Sequence, residues 1–141
     1  MEIYTLVHHS SIIFADIQHD QNLMSIEKFI AILKSSPDEI EFGETISMID
    51  DHYDFTPTAF KNGEVYNTAG KNSGSCKVLY FAQKNELTKE ETLACFGTYY
   101  KEVLANPKGD DHQNIRNFMI HGWDGVEFEG APLKEKRKPL R

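Results

Sequence analysis

Positive charge is scarce at the start of this chain: no Lys or Arg occurs before Lys28. A secretory signal needs a basic beginning and then an unbroken apolar stretch. Here His8-His9-Ser10-Ser11 interrupts the apolar residues, and Asp16 and Asp20 follow. A Sec signal is therefore excluded. Cysteine is equally sparse, with only Cys76 and Cys95 among 141 residues. They form no C-x-x-C pair, which removes zinc knuckles and thioredoxin-type motifs. A disulfide stays open from sequence, but reduced thiols in a cytoplasm fit two isolated cysteines in apolar patterns better. No apolar run approaches ~18 residues, so no membrane span is expected.

Basic surplus is missing too. The net charge is −7, and the last eight residues, Lys134 to Arg141, carry +4, so the body carries −11. Phosphate repulsion by such a body excludes a nucleic-acid partner. The basic tail contains Pro139 and reads as a solvated, frayed end, with a weak docking arm for an acidic surface as the second reading. Hydrophobic residues make up 40% of the chain, enough for one packed core and too many for global disorder. There is no internal repeat and no linker that would divide the chain.

What is present follows an alternation of helices and short strands. Ile26, Phe29, Ile30 and Leu33 recur at helical spacing behind Ser25, a natural cap, and Ser36-Pro37 stops that helix. A second helix is expected from about Glu44 to His52. Phe55 to Phe60 is β-rich, with Pro57 marking an edge, and Asn62-Gly63 turns it back into Glu64 to Asn67. Ser75 to about Asn85 is apolar nearly all round and reads as a central buried helix. Thr88 with Glu91 forms a capping box for the next helix, whose inner face is Leu93, Phe96, Tyr100, Val103 and Leu104. Asp111 is expected to cap a last helix ending at Gly122, and Gly125 to Gly130 reads as a final strand. The fold class is α+β: about five helices packed against a small, mostly antiparallel β-sheet.

Chemistry concentrates in two places. Gly70 and Gly74 flank a helix start where Asn72, Ser75 and Lys77 could hold a small anion. The spacing is not that of a Walker A loop, and the same residues could simply cap the helix and brace the loop. Cys76 at that helix start, beside Lys77, has the setting of an acidified thiol. Asp111-His112-Gln113-Asn114 is the second place. His112 and Asn114 would complete a Cys76–His112–Asn114 constellation, and Arg116 would bind an anionic ligand or an internal acid. An inert, packed Cys76 is the competing reading. Asp50-Asp51-His52-Tyr53-Asp54 lacks the offsets of a calcium loop and reads as a solvated helix end, so no metal site is assigned. Trp123 is expected to anchor over the sheet.

Three segments carry a wider resemblance: Phe55 to Lys77, Thr92 to Tyr100 (T-L-A-C-F-G-T-Y-Y), and Asp111 to Val126 (D-H-Q-N-I-R-N-F-M-I-H-G-W-D-G-V). Together they resemble the HopJ type III effector protein family, over about Met24 to Leu133. The division expected from it is a leader at 1–23, a HopJ-like domain at 24–133 and a basic tail at 134–141. Met24 is a candidate start, and the leader is expected to be dispensable for folding. The resemblance implies a small soluble bacterial protein, cytoplasmic or delivered through a type III system. Action by binding or protein interaction is the expected function, and the alternative is a small enzyme or anion-binding protein with a site near Asn72–Lys77 and His112–Arg116 and Cys76 as nucleophile. It supplies no catalytic residues and no cofactor. The partner it leaves open is an unknown protein or a small anionic ligand.

Overall fold

The structure, a computed structural model, describes residues 23–137. Residues 1–22 of the leader expected at 1–23, and the tail end at 138–141, lie outside the described residues. The order of elements is α1 (Ile26–Ser35), a 3-10 turn (Pro37–Glu39), α2 (Phe42–His52), β1 (Tyr53–Phe55), β2 (Phe60–Asn62), β3 (Val65–Asn67) and α3 (Ser73–Lys84). Then come α4 (Lys89–Ala94), α5 (Thr98–Ala105), α6 (Gln113–His121), a 3-10 turn (Gly122–Gly125), β4 (Val126–Phe128) and β5 (Leu133–Glu135). This is an α+β fold.

The capping signals work as read. Ser25 accepts from the Lys28 N–H at 3.0 Å, and Thr88 and Glu91 satisfy each other's backbone donors at 3.0 and 2.9 Å. The apolar-all-round segment is the central helix. In α3, Val78, Leu79, Phe81 and Ala82 are fully buried. Phe81 takes the edges of Phe29 from α1 and Tyr53 from β1, both at 6.0 Å between ring centres. Burying a side chain of this size contributes ~1.5–3 kcal/mol.

The strands form two small antiparallel sheets. One pairs β1 with β5, and the other has the order β3-β2-β4. The expected Phe55–Phe60 strand is split, because Thr56 to Ala59 leave the ladder and only the ends pair. The Asn62-Gly63 hairpin is formed, with Phe60 opposite Asn67 and Asn62 opposite Val65. Lys134 and Glu135, expected in a frayed tail, are instead strand residues opposite Asp54 and Tyr53. Their signal is hidden because the partner lies some eighty residues upstream.

The helix expected after Thr88 is broken in two. Gly97 sits at φ +56, and a Cβ there would lie 2.7 Å from the Phe42 backbone nitrogen. The chain thus turns where α2 begins, which only glycine permits at that distance. The break rotates the following residues, so Val103 is buried while Leu104 is 53% exposed rather than on the inner face. Trp123 packs edge-on against Phe118 of α6 at 4.8 Å and donates its indole N–H to the Leu87 carbonyl, so it anchors on a helix and the α3–α4 connection rather than over a sheet. Among the described residues, no helix is long and apolar enough to cross a membrane.

Candidate functional site

Two helix starts open on one cleft. Asn72 leads α3 and His112 leads α6, and both have left-handed backbone, at φ 54 and 52. Neither helix has a side-chain cap. The expected cap, Asp111, lies one residue too early and turns its carboxylate to Arg116 instead. The leading N–H groups of both helices are therefore left without the side-chain acceptors that usually satisfy them. Asn72, Gly74 and Ser75 from the first helix line a cleft of about 540 Å3, as do His112 to Ile115 from the second.

One wall of the cleft is aromatic. Phe42 stacks near Phe96 at 6.2 Å and meets Tyr99 edge-on at 5.1 Å. The Phe42 ring also rests on the first turn of α3. A Cβ on Gly74 would lie 2.9 Å from its Cζ, which accounts for a glycine inside that turn.

Beneath the cleft lies a set of linked amides. Asn114 Oδ1 accepts from Asn62 Nδ2 at 2.9 Å and from Asn67 Nδ2 at 3.1 Å, while its own Nδ2 donates to Asn67 Oδ1 at 3.0 Å. Asn72 Nδ2 donates to the same Asn67 oxygen at 2.7 Å. The β2–β3 hairpin thus holds both helix starts in place. Buried amides must be paired or they cost ~1–3 kcal/mol each, and Asn62 Oδ1 is a buried acceptor left without a protein partner.

His112 is held from the opposite side. Its Nε2 lies 2.8 Å from Glu102 Oε1 of α5, with Asp111 Oδ2 at 3.8 Å, and its ring tilts against Tyr99 at 5.2 Å. An ionised carboxylate only accepts, so Nε2 carries the proton in this pair.

The expected Cys76–His112–Asn114 constellation is not formed. The His112 ring bonds Glu102, and the Asn114 amide is used within the amide set. Cys76 is 1% exposed and its sulfur lies 3.7 Å from the Thr58 carbonyl. α3 begins at Ser73, two residues before the expected start, so the Cys76 N–H already bonds the Asn72 carbonyl. Burial pushes the Cys76 thiol up to about 11, against smaller opposing effects of the Thr58 backbone and Lys77. The acidified thiol is thereby corrected: desolvation outweighs charge. Cys95 is sealed as well, pushed up by burial to about 12, and both cysteines are free.

Two of the expected anion ligands point elsewhere. Lys77 pairs with Asp50 at 2.9 Å and lies over the Phe55 ring, outside the cleft lining. Arg116 is pinned by Asp111 Oδ1 at 2.7 Å and by the Pro107 carbonyl at 3.2 Å. It borders a second groove, of about 370 Å3, alongside Leu104 and Ile120. The Arg116 pair holds the Asp111 carboxyl below the usual carboxylate range. Among the described residues, no group of three or more His, Cys, Asp or Glu could hold a metal ion. Asn72, Ser75, His112 and Asn114 are therefore the sequence candidates that meet at one cleft.

The model of the HopJ type III effector protein family matches residues 26–133. The chain belongs to that family. A solved crystal structure, of an unknown function protein named VPA0580, is 52% identical with a TM-score of 0.79. The match covers 80% of this chain and 95% of that one. No curated protein matches. The HopJ segments read from sequence, 55–77 and 111–126, are those that bring the two helix starts to the cleft. What sequence reasoning missed is Glu102 and the wall residue Phe42. Neither sits in a motif, and each meets the site only through tertiary packing; Gly97 beside Phe96 was the one local hint.

Proposed function

We propose that this HopJ family protein works by binding, and that the cleft takes a small ligand with an anionic group and a planar apolar part. The observation that carries this reading is the convergence of two uncapped helix starts on one cleft. Helix starts favour anions by ~0.3–1 kcal/mol each through the partial positive charge of their free N–H groups. The Ser75 hydroxyl and the His112 ring stand beside them as further polar groups, and Phe42 with Tyr99 offers the apolar wall. Calorimetric titration with phenyl phosphate and inorganic phosphate tests it. Phenyl phosphate is expected to bind more tightly than phosphate, and Ser75→Ala and His112→Asn are each expected to weaken it. Equal affinities across the three proteins would contradict the site.

A second reading is an effector that is delivered through a type III system and acts by contact with another protein. Family membership supports it, and so does the exposure of Ile120, at 73%, beside Leu104 on the second groove. A chain fused to a calmodulin-dependent cyclase should raise cyclic AMP in host cells only from a donor with an intact secretion apparatus. Signal from a secretion-deficient donor, or none from an intact one, counts against delivery.

A further inference from the structure

We infer that the cleft is also a hydrolytic site, in which Ser75 is the nucleophile, His112 the general base and Glu102 the residue that positions it. This rests on the cleft being the ligand site and adds a reaction to it. The constellation expected around Cys76 fails because that thiol is buried, but the adjacent hydroxyl is not. Ser75 lines the cleft, is half-buried, and has no side-chain hydrogen bond to the protein among the described residues. His112 lines the same cleft. Its Nε2 is committed to Glu102 at 2.8 Å, so in the neutral ring the lone pair is on Nδ1, which has no protein partner among the described residues. A histidine oriented by a carboxylate on one nitrogen and open on the other is the arrangement a general base requires. No hydrogen bond joins the two side chains, which share the cleft lining; catalytic bonds are often long or poorly aligned without substrate.

The substrate class is a carboxylic ester whose apolar portion lies against Phe42 and Tyr99. Ser75 Oγ forms a bond to the acyl carbon while its proton passes to His112 Nδ1, and the carbonyl electron pair moves onto oxygen. That oxyanion is met by the leading N–H groups of α3. The intermediate collapses, the ester C–O bond breaks, and His112 returns the proton to the departing alkoxide. Water then attacks the acyl-Ser75 carbon with its proton taken by His112, and Oγ leaves with that proton. The net change is ester plus water to acid plus alcohol, with no other reactant.

A fluorophosphonate probe on the full chain at pH 8, read by intact mass and peptide mapping, tests this. One adduct on Ser75 is expected, absent from Ser75→Ala. His112→Asn, which keeps a residue tolerant of left-handed backbone, should slow labelling by about a hundredfold or more. Glu102→Gln keeps an acceptor for Nε2 and should label at close to the wild-type rate, whereas folded Glu102→Ala should label more slowly, and equal slowing in both variants counts against a positioning role. No adduct on the wild-type Ser75 overturns the proposal whatever the variants do, and so does wild-type labelling of folded His112→Asn. Phenyl phosphate binding with no adduct overturns the chemistry alone. Failure of both removes the binding reading beneath it.

Discussion

Replacing Asn114 with Ala removes one acceptor from each of two buried amides, because Asn62 and Asn67 both donate to its Oδ1 and keep only the Asn114 and Phe60 backbone carbonyls. Leaving buried amides short of a partner should cost ~1–3 kcal/mol, read as a lower urea midpoint. The thiols give a pH-dependent prediction. An unfolded thiol releases its proton near pH 9, whereas folded Cys76 holds it to about 11 and Cys95 to about 12. The folded state therefore binds more protons above pH 9, and their contribution to stability is lost as pH rises from 9 toward those values. Tyr53, raised chiefly by burial, acts in the same direction. Urea midpoints should fall over this range, less steeply in Cys76→Ala, and neither native thiol should react with Ellman's reagent at pH 8 before urea is added. At this scale the sequence revealed the density of Asn and Gly as purposeful punctuation. It did not reveal the pairing, since Asn67 and Asn114 are 47 residues apart and amides have no complementary code. The burial of Cys76 was hidden for a similar reason: exposure of a helix start depends on what packs over it.

Among the elements, α4 is short, so its ends matter more than its interior. Thr88→Ala removes the acceptor for the Glu91 N–H and should cost ~1 kcal/mol in thermal or urea unfolding. Lys34 and the Thr88 backbone hold the Glu91 carboxyl below its usual range. Its contribution is present above pH 4.5 and is lost as pH falls through the depressed value, so Lys34→Met should flatten the acid side of the stability profile. Caps, hairpin and helix faces were legible because their signals are local and lie within four residues. The break at Gly97 was not, because a capped apolar pattern continued across it, and the reason for the turn is the α2 backbone 55 residues upstream. Strand β5 failed the same way, since three residues beside a basic tail carry no alternation long enough to read.

For the molecule as a whole, class and element order followed from the sequence, while the site did not. Its helix starts were each visible as Gly- and Asn-rich segments. That they share a cleft walled by Phe42 and Tyr99, with Lys77 and Arg116 turned away, is a product of packing. The central claim is this convergence, and backbone amide chemical shifts recorded during a phenyl phosphate titration test it most directly. The account predicts that the amides of Ser73, Gly74 and Ser75 and those of Gln113 and Asn114 shift together along one saturating curve, with Lys77 and Arg116 unmoved. Shifts confined to one helix start, or centred on Lys77 or Arg116, would contradict it.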